Sequence, residues 1–132
     1  MEWEALRQAA AEAADRSYSP YSHYPVGAAA VTTDGRLVTG CNVENASFGL
    51  TLCAECGLVA ALALSGGGRL ARFTCVDRAG RIITPCGRCR QLLYEFGGAG
   101  LAMLTPAGET TLGDMLGQAW GPEDLEDDHR SV

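Results

Sequence analysis

Four of the six cysteines stand as two Cys-x-x-Cys pairs, Cys53 with Cys56 and Cys86 with Cys89, a spacing that marks a zinc site. One ion held by both pairs ties two distant stretches of the chain together, so the fold must bring residues near 53 and 86 to a single point. Two different centres can be written from this pattern. In the first, Cys53, Cys86 and Cys89 hold the metal and a fourth position stays open for water, whose pKa zinc lowers toward neutrality. Glu55, two residues from the nearest thiolate, then stays near that water and carries protons rather than binding metal. In the second, all four thiolates close the shell and the zinc is an inert clip. Spacing alone leaves both open; Glu55 inside the first pair, Pro85 ahead of the second and the polar run Asn42-Val43-Glu44-Asn45 tilt toward the first.

Hydrophobic periodicity places these residues on an alternating chain. Trp3, Leu6, Ala9, Ala10 and Ala13 fall at helical spacing, so residues 2 to about 17 read as an amphipathic helix ended by Ser19-Pro20. Val26 to Val31 reads as a strand, and Asp34-Gly35 turns the chain into a second, Leu37 to Val43. After a loop from Asn45 to Leu50, Leu52 to Leu64 is dense enough in Leu, Val and Ala for a buried helix with Cys53 in its first turn. Phe73 to Val76 is a core strand. Ile82 to Thr84 then leads into a second metal-bearing helix, begun at Pro85-Cys86 and closed by Gly97-Gly98. Leu101 to Leu104 reads as a strand, Pro106 to Gly108 as a turn, and Thr111 with Asp114 as a capping pair for a short helix through Leu116. This alternation predicts an α/β layered fold in one domain, 1–132, with an acidic tail over about 121–132 that is loosely ordered unless it docks on a neighbour. Both metal-bearing stretches open helices, whose positive N-terminal ends favour thiolate over thiol. Cys41 and Cys75 read as small buried hydrophobes. Asn42 and Glu44, two apart on an extended chain, leave one face together and could grip a diol, or simply face water.

Pro20-Tyr21-Ser22-His23-Tyr24-Pro25-Val26-Gly27-Ala28, Gly40-Cys41-Asn42-Val43-Glu44-Asn45-Ala46, Cys53-Ala54-Glu55 and Pro85-Cys86-Gly87-Arg88-Cys89-Arg90-Gln91 stand in an order and spacing that resemble the small, homotetrameric class of zinc-dependent cytidine deaminases, over nearly the whole chain. The resemblance implies a three-layer α/β/α domain around a central mixed sheet of about five strands. It implies Zn2+ on Cys53, Cys86 and Cys89, with Glu55 as the catalytic proton carrier. Asn42 and Glu44 would hold a ribose, Tyr24 would pack on the pyrimidine, and backbone groups near Ala54 and Cys86 would orient its amide edge. Phe48 and Trp120 match places where aromatics reach a site across subunit boundaries, so composite sites in a homotetramer are expected. The implied reaction is hydrolytic deamination of cytidine, and of deoxycytidine, to uridine or deoxyuridine plus ammonia, in pyrimidine salvage. Blasticidin-type deaminases share the zinc motifs, so Asn42, Glu44 and Tyr24 alone argue for a nucleoside. One departure stands out: many relatives carry Arg where this chain has Cys56. Arg90, with the two helix N-termini, is then the expected compensation for the surplus charge of three thiolates.

Charge agrees with a small substrate. At a formal net charge of -6 the chain lacks the clustered Lys and Arg that nucleic-acid binding needs, whereas a free nucleoside suits its surface. At 47% hydrophobic over 132 residues it can bury a sizeable core. No charged-then-apolar leader and no run of membrane length is evident, so a soluble cytoplasmic protein with reduced thiols and no membrane partner is expected.

Overall fold

A run of the smallest side chains, Gly27-Ala28-Ala29-Ala30, lies at the centre of the computed structural model, which describes residues 1–126. These residues belong to β1 (Val26–Thr32), a strand buried on both faces. It pairs antiparallel with β2 (Leu37–Cys41) on one side and with β3 (Leu70–Asp77) on the other. β3 runs parallel to β4 (Ala102–Thr105), which pairs antiparallel with β5 (Gly108–Thr111). The result is a mixed five-stranded sheet in the order β2-β1-β3-β4-β5.

Strand side chains alternate between faces, and helices cover both. Ala29 and Val76 pack with Leu6 and Ala10 of α1 (Trp3–Ala14) on one face. Ala28, Ala30 and Phe73 pack on the other with Leu58 and Leu62 of α2 (Ala54–Leu64) and Leu93 of α3 (Gly87–Gly97). Two glycines set how closely the helices approach. A Cβ on Gly27 would lie 1.8 Å from the Ala10 carbonyl oxygen, and one on Gly40 would lie 2.3 Å from that of Ala54. Gly40 therefore seats the first turn of α2, next to Cys53, directly on the sheet.

Several element limits differ from expectation for identifiable reasons. α1 stops at Ala14 because Ser17 and Tyr18 are drawn to Asn42, through its carbonyl oxygen and through a short bridge from Tyr18 to Val43. β2 ends at Cys41: the Asn42 N–H still donates to the Val26 carbonyl, but Val43 and Glu44 bond to Leu52 and Tyr18 instead of to β1. α2 begins at Ala54, leaving Cys53 as its N-cap. β5, Gly-Glu-Thr-Thr, went unread because it has no apolar pattern. The expected capping pair is present: the Thr111 hydroxyl accepts from the Asp114 N–H at the start of α4 (Leu112–Met115). The tail is not wholly loose. Pro122–Glu126 forms a short helix, α5, docked on α3 by the Tyr94 hydroxyl donating to Glu123 at 2.9 Å; the rest of the acidic tail lies outside the described residues. No helix among the described residues is long and apolar enough to cross a membrane.

Candidate active site

α2 and α3 lie side by side with both N-termini at one end of the sheet, and each is capped by a cysteine in extended conformation, Cys53 and Cys86. Neither side chain makes a capping hydrogen bond, so both sulfurs are free to face the junction. Cys89, within the first turn of α3, is buried there. The three Sγ atoms all lie within 4.8 Å of one another, whereas Cys56 stands outside the group.

This donor set fits zinc. Around an ion at about 2.3 Å, three tetrahedral thiolates sit about 3.8 Å apart, a separation compatible with sulfurs that lie within 4.8 Å of one another. Protonation points the same way. Partial burial acts against ionisation of Cys86, yet hydrogen bonds from the Cys89 backbone and from the thiols of Cys89 and Cys53 hold its pKa below the usual value. Burial pushes Cys53 and Cys89 upward. Three sulfurs that share protons among themselves will exchange those protons for one cation. Zn2+ is the ion this site fits, with Cys53, Cys86 and Cys89 positioned to bind it and Cys56 outside the group.

Glu55 occupies the second position of α2, is only 4% exposed, and lines the same hollow as the triad. Burial raises its carboxyl pKa, partly offset by a hydrogen bond with the Cys89 side chain. A carboxyl poised above its ordinary range can both take and give a proton. The hollow, of about 220 Å³, is walled by Val26, Asn42, Thr51, Ala54, Cys75 and Pro85 among others. Cys75 is buried as expected, donating to the Ile83 carbonyl at 3.3 Å, and also forms part of this wall.

The remaining expected residues divide. Asn42 is buried and largely committed within the protein: Oδ1 accepts from the Ser17 hydroxyl and the Val26 N–H, and Nδ2 donates to the Tyr24 carbonyl. One amide hydrogen remains. Glu44 lines a second hollow, of about 300 Å³, with Tyr21, Ser22, Phe48 and Thr51. Its carboxylate accepts from the Tyr21 and Ser22 N–H groups and the Ser22 hydroxyl, and these bonds lower its pKa. Val43, between Asn42 and Glu44, is exposed. Phe48 is 74% exposed, edge-on to Tyr21 at 5.9 Å. Thr51, which sequence reasoning missed, joins the two hollows; its place two residues before Cys53 on an extended stretch was the available signal.

Within the single chain, three of the expected residues stand apart from the triad. The Tyr24 ring lies outside both hollows and is exposed. Trp120 is exposed and outside the cleft of its own chain, and its carbonyl accepts from the Gln91 side chain at 2.7 Å. Arg90 does not reach the sulfurs. Its guanidinium donates to the carbonyl oxygens of Pro85 and Met115, bracing the loop ahead of Cys86. The guanidinium beside the thiols is that of Arg88, with Nη1 4.0 Å from Cys53 Sγ and Nη2 3.8 Å from Cys56 Sγ.

The family whose model matches this chain, over residues 1–105, is described as the cytidine and deoxycytidylate deaminase zinc-binding region. A cytidine deaminase of Mycobacterium tuberculosis is 53% identical over 130 residues, covering 98% of each chain. One from Sporosarcina psychrophila is 37% identical over 132 residues, covering 95% of this chain and 96% of the relative. The crystal structure of the M. tuberculosis cytidine deaminase superposes with a TM-score of 0.89 at 55% identity, over 92% of this chain and 98% of that one. That of the Mycobacterium leprae enzyme gives 0.88 at 54%, over 89% and 99%. With the family model spanning residues 1–105 and likeness in both sequence and fold along nearly the whole chain, it belongs to the zinc-dependent cytidine deaminase family.

Proposed function

We propose that this chain catalyses hydrolytic deamination of free cytidine and deoxycytidine, giving uridine or deoxyuridine and ammonia, as a step of pyrimidine salvage. The observation that carries this reading is the buried Glu55 in the same hollow as the three-sulfur group, at the meeting of two helix N-termini. When bound, zinc supplies the Lewis acidity that makes water a nucleophile near neutral pH. Glu55 accepts the proton released as water adds at C4, delivers it to N3 of the ring, and carries the second proton to the departing amine. The base occupies the smaller hollow, where backbone groups at Ala54 and Cys86 orient its amide edge. The ribose extends past Thr51 toward Glu44, with the remaining Asn42 amide hydrogen directed at a sugar hydroxyl. Six free thiols suit a reducing, cytoplasmic location.

Purified protein incubated with cytidine should lose the absorbance of the cytosine ring and release equimolar ammonia. Zinc-loaded protein that releases none from cytidine or deoxycytidine would overturn the assignment, and turnover of a different aminopyrimidine alone would redirect it.

We infer composite sites in a homotetramer. Phe48, Leu50 and Trp120 are all more than half exposed, and Phe48 forms the rim of the larger hollow. Large exposed apolar groups around a cleft are suited to burial by another subunit. Trp120→Ala should weaken cytidine binding while leaving zinc content unchanged, because the ring covers the substrate and touches no ligand. Light scattering that finds a fully active monomer would exclude the composite site.

A further inference from the structure

We propose that Arg88 is the positioning residue that balances the thiolate charge of the metal centre, reaching the sulfurs from the first turn of α3. This inference rests on Cys53, Cys86 and Cys89 being the zinc ligands. Three thiolates around a divalent cation leave one surplus negative charge, in a site that also buries Glu55. One guanidinium brings the ligand set to neutrality.

Two independent observations assign that guanidinium to Arg88. The first is contact: its hydrogen bonds among the described residues go to sulfur, Nη1 to Cys53 and Nη2 to Cys56, and none of the ion pairs there involves it. The second is the sign of the charge. A helix N-terminus carries a partial positive charge and disfavours cations in its first turn. The first turn of α3 nevertheless reads Gly87-Arg88-Cys89-Arg90, with no acidic residue. Arg90 escapes by bonding carbonyl oxygens. Arg88 has no such outlet, and its place beside two helix N-termini is favourable only when anions stand there, which the metal-bound thiolates are. Cys56 fits the same design. Its small side chain leaves room for a guanidinium arriving from α3 and receives the end that Cys53 does not.

Zinc-loaded parent, Arg88→Ala, Arg88→Lys and the double variant Cys56→Arg/Arg88→Ala should be titrated with a chromogenic zinc chelator. Their cobalt-substituted forms should be examined for the sulfur-to-cobalt charge-transfer band. Arg88→Ala is expected to hold zinc about ten- to a hundredfold more weakly, the usual effect of removing a partner of a metal ligand, and to shift the band to lower energy as the sulfurs become more electron-rich. Arg88→Lys should recover part of both changes. The double variant should recover most, since its cation returns to the same sulfurs from α2. Thermal melts of the metal-free proteins add a control: Arg88→Ala should melt no lower than the parent, because the cation helps only when the thiolates are charged. Unchanged affinity and an unmoved band in Arg88→Ala would overturn the proposal, as would equal destabilisation of the metal-free and zinc-loaded forms. A parent that binds no zinc would instead overturn the ligand assignment on which it rests.

Discussion

Glu55→Gln should keep about one zinc per chain, as a ligand set of three thiolates requires, while losing at least about a hundredfold in kcat, the lower range for removal of a general acid-base group. The carboxyl lies outside the sulfur triad, so the metal loses no ligand. Glutamine has nearly the same volume, so the packing of a side chain only 4% exposed is kept. What disappears is the ability to accept a proton from water and return it to N3. The stability consequence has a definite sign in the metal-free protein. Burial raises the Glu55 pKa, so the folded state holds this proton more tightly than the unfolded chain does. The parent therefore keeps its full stability below the ordinary carboxylate range and loses part of it as pH rises through the raised pKa. Glutamine does not titrate, so the metal-free variant should melt at or above the parent at neutral pH, and the gap should close on acidification. Metal analysis, steady-state kinetics and melts at two pH values test all of this. Loss of zinc together with activity would make Glu55 a ligand, and a drop of only a fewfold would remove it from the proton transfer.

Much of this centre was legible because short-range rules place its parts. Cys53 and Cys86 open helices, and Pro85 and Glu55 flank them at fixed offsets, so spacing in the chain translates directly into proximity. The central strand was legible for a related reason: a continuous run of Val, Gly and Ala suits a strand buried on both faces. What escaped depended on direction. Arg90, one turn beyond Cys86, shares its helix face on paper. Side chains on a helix lean toward the N-terminus, so Arg90 reaches back past the cysteine to the Pro85 carbonyl. Arg88 has no preceding turn to lie on, so it leaves the helix end and meets the neighbouring N-terminus, where Cys53 and Cys56 stand. No spacing rule within α3 contains that contact, because it depends on how α2 and α3 pack. β5 escaped because polar residues on an edge strand carry no hydrophobic signal. Tyr24 and Trp120 were placed by resemblance alone, and in a single chain neither ring reaches the cleft.

Cys53→Ser and Cys56→Ser, three residues apart on one helix end, should have opposite consequences for the metal. Serine is among the best N-cap residues, so Cys53→Ser preserves the start of α2 and is compared with the parent as a folded protein. It replaces a soft thiolate with a hydroxyl that stays protonated near neutral pH, and two sulfurs are then left to hold the ion. Zinc should be lost, or retained only at metal concentrations far above those the parent needs, and deamination should fall with it. Cys56 lies outside the triad and meets only the far end of Arg88. Its replacement by serine offers that guanidinium a hydroxyl acceptor of similar size, so Cys56→Ser should keep about one zinc per chain, as three protein ligands suffice for a catalytic site, and most of the activity. Metal analysis of the two variants beside a cytidine assay of the parent decides between the centres that spacing alone allowed. Equal zinc loss from both, with an inactive parent, would mean that four thiolates close the shell in solution and leave no position at which water can be activated.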